Sequence, residues 1–340
     1  MNTLAQIIYD DVEDIINKIN FSELDKKTVL ITGATGLVGT YFIACLKKAS
    51  EINNTEIKVI AIAHNKTNQY YNDLLPKDTP LLTGDLTDIE FLKTLPEADY
   101  IIHTAGYGQP GKFLVNPIKT LKLNTLTTFF LLEKLKPNGK FLFISSSEVY
   151  SGSEKIPYME EDIGHTNTDH KRSCYIEGKR CGESICNNYR DLGIEAKSAR
   201  LSLAYGPGTK KGDYRVLNAF IEKALNGEIS MLDTGEAKRT YCYITDAIEM
   251  MWNILFSGKD SIYNVGGESK TTIAKLANKI GTHLNVPIKS PPTSESIGGA
   301  PDNVWLNLNK TKKEFNKTDF VKLDKGLEKT IDWQLKLYNN

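Results

Sequence analysis

Net charge is the first thing this sequence lacks: 42 Lys and Arg balance 42 Asp and Glu. A balanced chain has no strong basic field. That argues against nucleic acid or an anionic membrane as the main partner, and any anion is then held by a local site. Cysteine is scarce. Cys45, Cys174, Cys181, Cys186 and Cys242 form no C-x-x-C pair, and only five His accompany them. Neither a disulfide framework nor a metal site is expected, and buried thiols in a reducing compartment are the plain reading. No apolar run approaches the length of a membrane span, and no apolar leader follows the first residues, so a cytoplasmic protein is expected. Internal repeats and long low-complexity tracts are missing too. What remains is an ordinary globular composition, 40% hydrophobic and 25% charged over 340 residues. That length suits one large or two fused domains.

Periodicity supplies the elements. Residues 3–19 place Leu4, Ile7, Ile8, Val12, Ile15, Ile16 and Ile19 at helical spacing, with Asp10, Asp11, Glu13 and Asp14 on the other face. One amphipathic helix packed on its own domain is expected. The run TVLITG (28–33) then ends in Gly, as a buried parallel strand does. Residues 57–63, 80–83, 98–106, 140–146 and 194–202 read as further strands. Helices are expected over 37–48, 87–95, 117–135 and 173–190. This alternation predicts an α/β fold built on a doubly wound parallel sheet. Past Tyr205-Gly206-Pro207-Gly208 the regularity loosens into a helix (216–226), a strand (239–244), a helix (245–256) and a strand (261–265). The loop-like SPPTSESIGGAP (290–301) precedes a helical end. A smaller lobe covering the C-terminal edge of the sheet is expected.

Gly33-Ala34-Thr35-Gly36-Leu37-Val38-Gly39 directly follows a strand and opens a helix, the context that a dinucleotide loop requires. Gly33 allows the tight turn, Gly36 lets backbone approach a pyrophosphate, and Gly39 permits close helix–strand packing. The helix N-terminus favours the negative charge. At the end of the second strand, where a carboxylate would hold the adenosine ribose and favour NAD, stand His64, Asn65 and Lys66; NADP stays open. Asp85, after the third strand, reads equally as an adenine contact or as a helix N-cap.

Tyr175 and Lys179 lie four apart on one helix face. An ammonium beside a phenol lowers the phenol's pKa toward the working pH and makes Tyr175 a usable general base. Ser146, at the end of the fifth strand, reaches the same place across the crevice and orients a substrate hydroxyl. Glu148 and Glu177 stand close by in sequence. A simple alcohol dehydrogenase needs neither, whereas a second acid/base suits chemistry next to a transient ketone. Glu177 reads almost equally as an exposed helix residue.

The glycine motif, Ser146, Tyr175-x-x-x-Lys179 and Tyr263-Asn264-Val265-Gly266 resemble the extended short-chain dehydrogenases, the NAD-dependent epimerase/dehydratase family of nucleotide-sugar enzymes. The resemblance spans about residues 27 to 335. NPIKTLKLNT (116–125), SSSEVY (145–150) and CYIEGKR (174–180) are similar to segments of the UDP-glucuronate decarboxylases. It implies a Rossmann-type sheet over 27–202, with 239–265 returning to it. A nucleotide-sugar lobe of 203–238 and 266–340 follows, and the N-terminal helix occupies 1–26. It implies NAD as cofactor, a nucleotide-diphosphate sugar as substrate, and a homodimer built on the helices at 117–135 and 173–190. The cofactor site would take in Gly33, Thr35, Gly36, Leu37, Val38, Gly39, His64, Asn65, Asp85, Leu86, Thr104, Ala105, Gly106, Asn124, Ser145, Tyr175 and Lys179. The substrate would meet Gln109, Ser146, Ser147, Glu148, Glu177, Arg215 and Arg239, the last as the diphosphate-binding Arg. Ser146, Glu148, Tyr175 and Lys179 would be catalytic. Three positions depart from the decarboxylases: the loop AGYGQPGKF (105–113) is not Ser/Pro-rich, Leu203 replaces a phosphate-contacting Asn, and Val304 stands where an Arg meets the substrate carboxylate. These departures favour epimerase or dehydratase chemistry through transient C4 oxidation. A decarboxylase is the alternative, and a catalytically silent dinucleotide-binding protein is the alternative from another class.

Overall fold

The computed structural model describes residues 1–53, 55–65, 67, 69–291 and 303–339. Lys66 and most of the expected 290–301 loop lie outside them. In chain order the first half contains α1 (Thr3–Asp11), α2 (Glu13–Lys18), β1 (Thr28–Thr32), α3 (Leu37–Asn53), β2 (Lys58–Ala63), α4 (Gln69–Leu74), β3 (Leu81–Thr83), α5 (Ile89–Thr94) and β4 (Ala98–His103). It continues with α6 (Pro110–Phe113), α7 (Pro117–Asn124), α8 (Leu126–Glu133), β5 (Leu135–Ser146), α9 (Ser173–Asp191) and β6 (Glu195–Leu201). Then come β7 (Ala204–Tyr205), α10 (Val216–Leu225), β8 (Ile229–Ser230), β9 (Lys238–Tyr243), α11 (Ile244–Ser257) and β10 (Ile262–Val265). The end of the described chain holds β11 (Ser269–Thr272), α12 (Ile273–Leu284), β12 (Ile288–Lys289), β13 (Asn303–Val304), α13 (Asn309–Glu314) and α14 (Leu323–Asn339).

The main sheet is a doubly wound, Rossmann-like sheet of seven parallel strands in the order β10-β6-β5-β4-β1-β2-β3. Its strands are apolar on both faces because helices cover both. Alternate residues of β1 therefore serve different cores: Val29 and Ile31 join the cluster under α3 and α11, and Leu30 joins the one under α5, α8 and α9. The strand order reverses between β1 and β4, which opens a crevice at their C-terminal ends.

Four expectations change on contact with tertiary structure. The N-terminal helix is two helices, broken at Val12. The break turns Asp11 inward rather than to solvent: its carboxylate accepts from Tyr41 Oη (2.8 Å), Tyr243 Oη (2.7 Å) and the Lys329 ammonium. One buried acid thus ties α1 to α3, β9 and α14. The helix expected over 117–135 breaks at Thr125. Thr120, Thr125 and Thr128 each hydrogen-bond a carbonyl four residues back, which bends helices. Strand β5 already begins at Leu135. Finally, residues 239–265 do not all return to the large sheet. Strand β9 pairs with β11, β13 and β7 in a separate four-stranded sheet, and only β10 adds to β6.

Candidate active site

The glycine loop is closed by sterics. Gly33 stands at φ 62, and a Cβ on it would lie 2.7 Å from the Ala105 backbone at the end of β4. A Cβ on Gly39 would meet the Gly33 carbonyl oxygen at 2.4 Å. A Cβ on Gly36 would meet only that same oxygen, at 3.2 Å, and Gly36 is exposed, so its outer side is open to a ligand. Thr104 Oγ1 donates to the Thr32 carbonyl (2.7 Å) and locks β4 to β1 below the loop. The Leu37 and Val38 amides begin the 17-residue α3. A backbone cradle at the N-terminus of a long helix fits a dinucleotide pyrophosphate.

Around this crevice the expected cofactor residues take different places. Thr35, Thr104, Ala105 and Gly106 line the ends of β1 and β4, and a Cβ on Gly106 would stand 3.7 Å from Lys179 Nζ. His64 and Asn65 are exposed after β2. Asp85 is not the N-cap of α5; Asp88 is. Asp85 binds the Thr87 amide (2.9 Å) and hydroxyl (2.7 Å) and pairs with Lys119 (2.7 Å). Burial opposes its charge, but these partners outweigh it and hold the carboxyl down to about 2. Leu86 is buried and gives its carbonyl to Thr127. Asn124 is enclosed between α7 and α9 against Gly178 rather than open to the crevice. Ser145 turns its hydroxyl to Glu183, away from the crevice.

Ser146, Tyr175 and Lys179 come together. The Ser146 side chain stands close enough to Tyr175 to favour its phenolate, and its hydroxyl caps the 3-10 turn of residues 147–150 by accepting from the Glu148 amide (3.2 Å). Phe113 stacks on the Tyr175 ring at 4.8 Å and 12°. Lys179, however, donates to the Ile144 carbonyl (2.6 Å), with its Nζ 5.8 Å from the Tyr175 ring centroid. The expected lowering of the Tyr175 pKa is thereby corrected. Burial pushes the phenol up to about 12, against the pull of Ser146, Arg172 and Arg215. The chain alone keeps Tyr175 protonated, and its use as a base requires further positive charge in the site.

Burial depresses Lys179 from 10.5 to about 7, with Glu183 and Cys186 opposing. Between those values the unfolded chain binds a proton that the folded chain does not, so Lys179 makes stability rise with pH across that window. Urea unfolding of wild type and Lys179→Met checks this. The stability of wild type relative to the variant should grow from neutral pH to pH 9, and a constant gap would refute it.

Glu148 meets Arg172, a residue absent from the sequence-level site, at 2.6 Å. Burial raises the Glu148 carboxyl, while Arg172, Arg239 and His170 oppose the rise. Arg172 stands three residues before Tyr175, but its partner lies 24 residues away in sequence, so only the fold reveals the pair. Glu177 pairs with Arg180 (2.7 Å), whose other nitrogens hold the Val149 and Gly164 carbonyls. Arg215 forks onto Asp213 and still acts on Tyr175 electrostatically. Arg239, on β9, acts on Glu148 and Tyr158. Ser147 lies in the turn between Ser146 and Glu148. Gln109 carries a buried Oε1 that has no hydrogen-bond partner among the described residues. Leu203 stands at φ 45, a conformation that Asn tolerates better.

A family model described as NAD dependent epimerase/dehydratase family matches residues 29–266. UDP-glucuronic acid decarboxylase 1 of Xenopus tropicalis is 31% identical over 320 residues, 92% of this chain and 73% of that protein. UDP-glucuronic acid decarboxylase 6 of Arabidopsis thaliana is 30% identical over 307 residues, 88% and 86% of the two chains. Among solved structures, the epimerase Mth375 of Methanothermobacter thermautotrophicus superposes with a TM-score of 0.80 at 22% identity, covering 96% of this chain and 97% of that one. The dTDP-glucose 4,6-dehydratase DesIV of Streptomyces venezuelae, solved with NAD bound, gives 0.78 at 20% identity, with 92% and 98% covered.

Proposed function

Because the chain belongs to the NAD dependent epimerase/dehydratase family, we propose that it converts a nucleotide-linked hexose through transient oxidation at C4. It acts as an epimerase or dehydratase and regenerates its cofactor in each turnover. One observation carries this reading: Ser146 at the end of β5 acts on the buried Tyr175 phenol, and Lys179 lies beside Gly106 at the mouth of the glycine crevice. The chemistry that bound NAD supplies is reversible hydride acceptance together with a positively charged ring.

Tyr175 takes the proton of the C4 hydroxyl, and Ser146 holds that hydroxyl in line. Lys179, bound to the Ile144 carbonyl, stands beside Gly106, where a cofactor in the crevice would meet it. The resulting ketone acidifies C5, and Glu148, raised by burial, is suited to move a proton there. Arg239 offers donors to the diphosphate, while the fork of Arg215 is held by Asp213. Product mass after incubation with NAD and a panel of nucleotide-hexoses tests the proposal. A new, chromatographically distinct product of unchanged mass means epimerisation, and loss of water means dehydration. Tight NAD binding with no conversion across the panel would instead favour a catalytically silent dinucleotide-binding protein.

We also infer a homodimer. Ile118 on α7 and Phe129 on α8 are 65% and 44% exposed, a large apolar presence for one helix layer. Light scattering should give twice the 38.0 kDa chain mass; a concentration-independent monomer would contradict it. Five unbonded thiols support a reducing, cytoplasmic setting.

A further inference from the structure

One buried carboxylate joins the elements that carry the catalytic groups. Glu183 lies on α9 one turn beyond Lys179, on the same helix face. The Ser145 hydroxyl donates to it. Arg200 on β6 donates as well: Nε to both carboxylate oxygens (3.0 and 3.2 Å) and Nη2 to Oε2 (2.8 Å). Ser145 and Arg200 are direct partners in the β5–β6 pairing, and Ser145 is followed at once by Ser146. Glu183 and Arg200 are 4% and 3% exposed.

The network runs on toward Glu148. Arg200 Nη1 donates to Tyr150 Oη (2.8 Å) and to the Glu160 carbonyl (2.9 Å), and Tyr150 donates to Asn264 Oδ1 (2.7 Å). Tyr150 closes the turn of residues 147–150 that presents Glu148. A buried ion pair contributes little net stability compared with apolar packing of the same volume. The placement of this one, behind Ser146, Glu148 and Lys179 at once, points to another role.

Lys179 is enclosed from several sides. The Ile144 carbonyl accepts its hydrogen bond, the Phe143 and Tyr175 rings lie at 4.7 and 5.8 Å, and His103, held neutral by burial, and Cys186 stand near. Glu183 is the acid that acts on it. We propose that Glu183, clamped by Arg200, is a positioning residue of the reaction: it supplies the counter-charge to the Lys179 ammonium and locks the Ser145–Ser146 strand end against α9.

The inference rests on the transient-oxidation reading for its kinetic arm only. Glu183→Gln keeps the side-chain shape and an acceptor for Ser145. The double variant Glu183→Gln/Arg200→Met removes both charges and guards against misfolding from an unpaired guanidinium. NMR titration of isotope-labelled lysine reads Lys179 directly, with or without turnover. Its midpoint should fall in Glu183→Gln and return toward wild type in the double variant, and a Glu183→Gln midpoint equal to wild type overturns the proposal. With a converted nucleotide-sugar, kcat should fall about 10²-fold, the cost typical of misplacing a reacting group by roughly 1 Å, while KM stays within about twofold. A folded double variant with wild-type kcat would also overturn it, since that is the result of a purely structural pair. If wild type itself converts nothing, the lysine titration still decides the point, and the failure lies with the reaction assigned.

Discussion

Tyr175→Phe lowers kcat by about 10²–10⁴-fold, the usual contribution of a positioned general base, and leaves NAD binding and thermal stability near wild type. The variant removes one oxygen from a ring fixed by its stack on Phe113, so the fold has little reason to move. What is lost is the phenol oxygen on which Ser146 acts. Burial places that phenol at about 12 in the protein alone. Turnover in wild type should therefore depend on the positive charge gathered around it, and the phenylalanine variant should lose the associated limb of the pH–rate profile. Steady-state kinetics across pH checks both points. Near-normal activity would remove Tyr175 from the mechanism.

The second large effect concerns substrate charge. UDP-glucuronate should be turned over on the order of 10³-fold more slowly than a neutral nucleotide-hexose, because an unpaired carboxylate loses several kcal/mol on entering a closed site. Val304 lies directly beside Arg239 in the β13–β9 pairing, so an apolar side chain occupies the step next to the Arg proposed to bind the diphosphate. Arg172, the other cation at hand, is already neutralised by Glu148 at 2.6 Å. The curated relatives described above are named as glucuronic acid decarboxylases, so this is the point where sequence likeness and local chemistry part. The assay is release of CO2 and UDP-xylose from UDP-glucuronate with NAD. Robust release would mean that another cation meets the carboxylate. Lys112, exposed on α6 in the altered loop, is the first to test, and Lys112→Ala should then abolish that activity.

Local spacing made much of this molecule legible. The run TVLITG and the glycines after it specify a strand, a tight turn and a helix within a dozen residues, and backbone sterics at Gly33 and Gly39 bear the pattern out. Tyr175 and Lys179 share a helix face because four residues make about one turn. Features set by distant chain segments were out of reach. Asp11 reads as a solvated acid until Tyr41, Tyr243 and Lys329 arrive from three other elements. Arg172 gains its meaning only opposite Glu148, and the Arg180 partner of Glu177 shows its ties to the Val149 and Gly164 carbonyls only in the fold. The direction of the Tyr175 shift was misjudged for the same reason: helical spacing shows that Lys179 is near, but not that its ammonium is spent on the Ile144 carbonyl.

The central claim is that C4 of the sugar is oxidised and that the cofactor is reduced and re-oxidised within each turnover. It is tested most directly by single-turnover measurements with a converted nucleotide-hexose carrying deuterium at C4, following reduced-cofactor fluorescence and product mass together. The account predicts a transient fluorescence rise that is slowed by the deuterium, with the label retained in the product. Product formed at an unchanged rate, with no transient reduced cofactor, would contradict it.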